Sequence, residues 1–366
     1  MANWYPIKLT AHVRDYAFGA RLIPDRLGKA GLPGGVVAET WEFSDWPGTV
    51  GTVVNGAFAG KTLYELVESY PDALVGEGWR GPHFPLLGKF LDASHMLPVH
   101  LHADDETAQR LHGQPNGKTE AWHVLWAKRG ASILAGVKPE ANAAALRAAL
   151  EAETYDAIMP RYPIESGDTV YVPGGILHSF GPGALIFEIQ QTSDLAQSVM
   201  PVDLAGQPLS KKAWAANIDA ALAELRRDYL PRPTRGLERW RGANRIVVGA
   251  AGPHFALERW VLTEPYHEPA HSNRCLTLTN LGDPVALAFS GGVETLARAE
   301  SCIVPAALGA FRVVPDGIAR LIACYVPDLV LDIVTPLRES GYSDELIRTL
   351  GEVDSGLSPP SRRPSP

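Results

Sequence analysis

The chain has 366 residues, 46% hydrophobic and 20% charged, with a formal net charge of −8. That is an ordinary globular balance, long enough for two domains or one large one, and its acidity without a basic stripe argues against a nucleic-acid partner. The opening MANWYPIKLTAHVRDYAFG lacks the basic-then-apolar pattern of a signal peptide, and no run of about eighteen apolar residues offers a membrane span.

Glycine (35) and proline (30) are frequent and evenly scattered. Between them lie short β-branched and aromatic runs: GGVVAETWEFSD, GTVVNG, EAWHVLWA, ASILAGV, DTVYVPG and ALIFEI. Many short strands joined by turns predict a mainly-β sandwich or barrel. Helices are few. Residues 62–70 read as a short amphipathic helix opened by Thr62 and stopped by Pro71. The alanine-rich segment 140–154 is helical by propensity. The clearest helix spans 210–229, with Ser210 as N-cap, an apolar stripe of Trp214, Ile218, Ala221, Leu222 and Leu225, and Pro231 beyond its end.

After that helix, residues 245–328 alternate again, in RIVVGA, FALERWVL, CLTLTNL, VALAF, FRVV and ARLIACYV. Cys275, Cys302 and Cys324 all lie here, none in a CxxC pair, and read as buried thiols of a reducing compartment, so the cytoplasm is the expected location. His254, His267 and His271 lack a well-placed glutamate and read as surface or packing histidines. A short helix is expected over 336–352 and disorder in the tail SGLSPPSRRPSP.

Three stretches carry chemistry. In a strand over 98–103, side chains alternate, so His100 and His102 share a face. Two imidazoles so placed can ligate one metal ion, or simply form a solvated polar face. In GKTEAWHVLW, Lys118, Glu120, Trp122, Val124 and Trp126 share a face. A carboxylate buried there needs a cation; at the surface the pair is a plain Lys118–Glu120 contact. His178 follows a strand and a proline-glycine turn in GDTVYVPGGILH, as a turn histidine or a ligand. Taken together, three imidazoles and one carboxylate suit a divalent ion such as Zn, Mn, Fe, Co or Ni.

The segment 167–178 has the form G-x5-P-x-G-x2-H, which resembles the second motif of cupins. AETWEFSD (38–45), FPLLGKFLDA (84–93), VHLHADDE (99–106), GKTEAWHVL (117–125), VPGGILHSFG (172–181) and EIQQTSD (188–194) are similar, in order and spacing, to segments of the class I mannose-6-phosphate isomerases. NGAFAGKTLYELVESY (55–70) and ESCIVPAAL (300–308) fit as well. The resemblance implies two cupin barrels, a bicupin: an N-terminal barrel with the metal site over 1–205, a connecting helix over 206–231, a C-terminal barrel without metal over 232–338, and a short helix and tail over 339–366. It implies a metal-dependent aldose–ketose isomerase acting through a cis-enediol. The ligands would be His100, His102, Glu120 and His178, and the ion zinc first of the five metals. Lys89 and Lys118 would bind the sugar or sugar phosphate, and Lys118 and Glu188 would act in catalysis.

The chain departs from the family in three places. His100 stands at the first ligand position, usually glutamine. Pro98 replaces a serine, and Ser198 stands where the family has an arginine. These departures point to either a non-phosphorylated sugar or a phosphosugar bound differently from the family's. They leave open two further readings, a metal cupin with epimerase, lyase or oxygenase chemistry on a sugar, and a non-catalytic sugar-binding protein. Glu39 and Glu42 are placed either against sugar hydroxyls or in structural roles.

Overall fold

The computed structural model describes residues 3–357, and antiparallel sheet dominates it. The first half contributes β1 (His12–Arg14), β2 (Glu39–Phe43), β3 (Leu86–Ala93), β4 (His100–Leu101), β5 (Glu120–Ala127), β6 (Ser132–Ala135), β7 (Arg161–Pro163), β8 (Thr169–Val172), β9 (His178–Phe180), β10 (Ala184–Gln191) and β11 (Gln197–Ser198). These form one sheet of order β1-β2-β3-β10-β5-β8 and a second of order β11-β4-β9-β6-β7. The second half contributes β12 (Leu237–Arg241), β13 (Asn244–Ala251), β14 (Ala256–Leu262), β15 (Tyr266–Glu268), β16 (Leu276–Asn280), β17 (Val285–Phe289), β18 (Gly292–Leu296), β19 (Ser301–Val304), β20 (Phe311–Pro315) and β21 (Ala319–Tyr325). Their orders are β12-β13-β14-β21-β16-β19 and β15-β20-β17-β18. Apart from the edge strand β11, the second half repeats the first strand for strand.

The long apolar runs follow from burial on both faces. Along β3 and β10, Phe90 faces Phe187 across the ladder and Lys89 faces Glu188. The two phenylalanine rings meet edge-on at 5.5 Å on the side that packs against Leu257, Ile322 and Cys324 of the second half. The next residues, Leu91 and Ile186, turn to the other side and join Trp122, Val172 and Phe180 inside the first half. So the two six-stranded sheets are covered on both faces, and near-continuous hydrophobic sequence is what such strands require.

Four local expectations change. The alternation through β5 breaks at a bulge opposite Leu185/Ile186, so Trp126 leaves the face of Trp122 and Val124 and packs on the outer side. The helix expected over 210–229 is Lys211–Glu224, with Ser210 Oγ accepting from Ala213 N at 3.1 Å. Beyond residue 336 there is no single helix but short segments, Thr335–Glu339, Asp344–Arg348 and Asp354–Leu357. His271 does have a carboxylate, Glu268, with Nε2 at 3.0 Å from Oε1.

The helix at 62–70 is Leu63–Ser69, held by a capping box. Thr62 Oγ1 accepts from Glu65 N, and Glu65 Oε2 accepts from Thr62 N at 2.7 Å. All three cysteines are buried and free, and burial pushes the Cys275 and Cys302 thiols up to about 12. Among the described residues no helix is long and apolar enough to cross a membrane. The expected disordered tail falls mostly on residues 358–366, outside the described residues.

Candidate metal centre

Backbone pairing brings the histidines together. His100 on β4 and His178 on β9 are direct partners across the ladder. His102 lies just past the end of β4, where its carbonyl accepts from Gly175 N. That contact needs the glycine turn before β9: a Cβ on Gly174 would sit 2.6 Å from Asp104 Cα. Glu120 opens β5, paired on one side with Gln190 of β10 and on the other with Val172 of β8.

One ligand atom from each of His100, His102 and His178 lies within 4.8 Å of the other two, and this is the single such group among the described residues. Each ring is oriented through its far nitrogen. His100 Nδ1 is 2.6 Å from Pro98 O, His102 Nδ1 2.8 Å from Leu195 O, and His178 Nδ1 2.8 Å from Ile176 O. Donation from Nδ1–H to a carbonyl leaves the Nε2 lone pair free to ligate. The Nε2 atoms converge, with His178 and His100 3.1 Å apart. Glu120 closes the group, Oε1 3.1 Å from His178 Nε2 and Oε2 3.4 Å from His102 Nε2. Trp122 Nε1 donates to Glu120 Oε1 at 3.0 Å.

Glu120 Oε2 is buried and 2.6 Å from Lys118 Nζ, yet the angle of approach makes no hydrogen bond. A buried, underused carboxylate oxygen beside three converging imidazole nitrogens is the donor set a divalent ion completes. The site fits a metal.

Two lysines and two further carboxylates flank it. Lys89 Nζ is 3.1 Å from Glu188 Oε1 and 3.7 Å from Glu39 Oε2. Lys118 Nζ donates to His102 Nε2 at 2.9 Å and stands 3.5 Å from Glu188 Oε1. All four are buried. Burial holds the Glu188 carboxyl above its usual range, and repulsion from Glu120 adds to this. Burial works against the Lys89 charge, but Glu188 and Glu39 outweigh it and hold its pKa up. Burial also opposes the Glu120 carboxylate, yet Lys118 and the histidines keep it ionised, well below the usual range.

These groups line one end of a cavity of about 380 Å³. Of the residues named from the sequence, Lys89, Pro98, His100, His102, Lys118, Glu120, Glu188 and Ser198 line it, and His178 does not. Glu39 lines it as well, with Trp41 Nε1 donating to Oε2 at 2.6 Å. Glu42 points the other way along β2, to Lys29 Nζ at 2.8 Å, so its place is structural. Sequence reasoning missed Tyr16, Phe18, Asp194, Asp203 and Asn217 as lining residues. Only Asp194 had a signal, at the end of EIQQTSD.

No protein-family model matches the chain. The Bacillus subtilis protein YvyI is 28% identical over 323 residues, 88% of this chain and 99% of its own length. The mannose-6-phosphate isomerase of Streptococcus mutans is 29% identical over 260 residues, 70% of this chain and 79% of its own. The crystal structure of the mannose 6-phosphate isomerase from Bacillus subtilis superposes with a TM-score of 0.78 at 27% identity, over 88% of this chain and 99% of that one. Over most of its length the chain is similar to proteins named mannose-6-phosphate isomerase.

Proposed function

We propose that the chain is a metal-dependent aldose–ketose isomerase, its site held in the first of two cupin barrels. The convergence of His100, His102 and His178 on Glu120, with each Nδ1 tied to a backbone carbonyl, carries this reading. These four residues would hold the ion, zinc before Mn, Fe, Co or Ni. Bound there, such an ion polarises the sugar oxygens at C1 and C2.

The chain's own residues supply the rest. Isomerisation removes a proton from C2 of the aldose and delivers one to C1, while the hydroxyl proton moves between O1 and O2. Glu188 is our choice for the carbon-bound proton. It is buried, faces the cavity, and its Oε1 accepts no hydrogen bond even with Lys89 nearby. Lys118 carries the positive charge that stabilises the cis-enediolate. Lys89, pinned between Glu188 and Glu39, binds sugar oxygens and sets the position of Glu188.

The cavity favours an uncharged sugar over a sugar phosphate. Five carboxylate residues line it, Glu39, Glu120, Glu188, Asp194 and Asp203, against two lysines that are already paired, and no arginine. Even with a divalent cation added, the wall stays net negative. A phosphate dianion is usually held by Arg, Lys or clustered N–H groups. Ser198, at the position resembling the family's arginine site, lies on this wall.

We take residues 1–205 as the metal-holding barrel, 206–231 as the connection, 232–338 as the second barrel and 339–366 as the C-terminal segment. In the second, the strand matching β4 is β15, where Tyr266 and Glu268 are buried and His267 is exposed, so no histidine pair faces inward. We place the protein in the cytoplasm, without a nucleic-acid or membrane partner. The decisive experiment measures metal content together with aldose–ketose exchange over free and phosphorylated sugars. Stoichiometric metal with exchange of a free hexose or pentose is expected; a metal-loaded protein that exchanges none of them overturns the reading.

A further inference from the structure

A groove of about 410 Å³ runs along the seam between the two halves, on the opposite side of β5 from the metal centre. Its walls come from both halves: Arg26, His123 and Trp126 from the first, Leu281, Arg298 and Arg320 from the second. No aspartate or glutamate lines it. Arg26 lies over the Trp126 ring, its guanidinium carbon 4.6 Å from the centroid. Trp126 is there because the β5 bulge turned it outward. Arg298 Nε donates to Leu27 O at 2.9 Å, which holds its guanidinium across the seam. Among the described residues Arg26, Arg298 and Arg320 have no carboxylate partner.

A fourth guanidinium stands behind the wall. Gly167 lines the groove, and a Cβ built on it would lie 3.7 Å from Arg259 Nη1. Arg259 Nε is buried without a hydrogen-bond partner, and one Nη donates to Arg235 O. Burial pushes Arg259 down to about 10, Arg245 and Arg235 add repulsion, and Asp168 offsets part of this. Arg26, Arg298 and Arg320 are exposed and make no ion pair among the described residues, so an anion bound between them gains charge-assisted contacts without breaking any. On a chain of net charge −8 this is a local reversal of sign. The neighbouring Leu125, Leu185 and Leu281 leave an apolar wall for the rest of a ligand.

We propose that this seam groove is a second ligand site, which takes a small metabolite bearing two or more phosphate charges and so ties the two halves together. The groove has the size of a small-molecule pocket. Arginine suits phosphate because its planar fork pairs with two oxygens at once.

The test uses the full, metal-loaded chain and inorganic pyrophosphate as probe, followed by calorimetric titration and thermal unfolding. One saturable site is expected, with Tm rising on binding and affinity falling steeply with added salt. Combining Arg298→Gln with Arg320→Gln should weaken binding at least about tenfold, each lost charge-assisted bond being worth a factor of that order. Among the described residues the Arg320 side chain makes no hydrogen bond or ion pair, so the effect of Arg320→Gln alone reads on the ligand more than on folding. Absence of saturable binding at millimolar pyrophosphate, or binding unchanged in the double variant, overturns the proposal. So does binding lost through Lys89→Gln, which would locate the anion in the metal-side cavity.

Discussion

His100 and His178 are Cα partners across β4 and β9, and their Nε2 atoms lie 3.1 Å apart although 78 residues separate them in sequence. Two imidazole nitrogens this close, both with Nδ1 committed to a carbonyl, gain nothing from each other and much from a shared ion.

Removing that ion tests the arrangement first. His178→Ala should weaken metal binding by more than about tenfold, since even the loss of an outer partner of a ligand costs 10–100-fold. Chelation of the wild type should lower Tm, and zinc should restore it. Metal content by elemental analysis and a thermal scan check both. An H178A protein that retains stoichiometric metal after dialysis would remove His178 from the ligand set.

Lys118 and Glu188 separate binding from chemistry. Lys118→Met should keep the metal and lower kcat by roughly 10²–10³, the usual loss for one preorganised electrostatic group. Glu188→Gln should lower kcat by about 10²–10⁴ while sugar affinity stays within a fewfold. Deuterium wash-in at C2 is the sharper measurement: E188Q should exchange no faster than the uncatalysed sugar. Exchange at the wild-type rate would assign the proton to another group.

The charge of the cavity wall predicts substrate preference. The free sugar should have a higher kcat/KM than its 6-phosphate, and Ser198→Arg should narrow or reverse that ratio by about tenfold, the worth of one charge-assisted contact to phosphate. A wild-type preference for the phosphorylated sugar would contradict the charge argument without touching the metal centre.

His123 makes a prediction about acid stability. It is buried in β5, its Nδ1 near Asp168 O at 3.2 Å and Thr169 Oγ1 at 3.1 Å. Burial, with help from Arg259, pushes its pKa down to about 3. An unfolded histidine titrates near about 6.5, so below that pH the unfolded chain takes up a proton the folded chain refuses. Its stability contribution is full above pH of about 6.5 and is lost as pH falls toward about 3. The slope reaches at most about 1.4 kcal/mol per pH unit. His123→Gln should flatten that limb, seen as a smaller shift of the urea midpoint between about pH 7 and about pH 4.5. An unchanged shift would mean that His123 is protonated in the fold.

The candidate ligand histidines were legible because their signals are local. Strand alternation puts His100 and His102 on one face, and the proline-glycine turn before His178 is a short-range signal. Capping was legible for the same reason: Thr62 and Ser210 act on amides within three residues of themselves. The position of Trp126 was not. A single extra residue in β5 reverses every later side chain, and the ladder with β10 decides where that residue goes.

By itself, then, the sequence pointed to a mainly-β chain and to His100, His102, Glu120 and His178 as a candidate metal group through short-range patterns, while Lys89 entered through the family resemblance alone. Only the tertiary structure decided the charge of the cavity, because Asp203 and Asn217 reach it from segments whose local sequence gives no hint. It alone gathered Arg26, Arg298 and Arg320 at the seam, since cations nearly three hundred residues apart meet only when two sheets pack face to face. The physical reason is range: periodicity and capping act along the chain, whereas charge and desolvation act through space on whatever the fold has made adjacent.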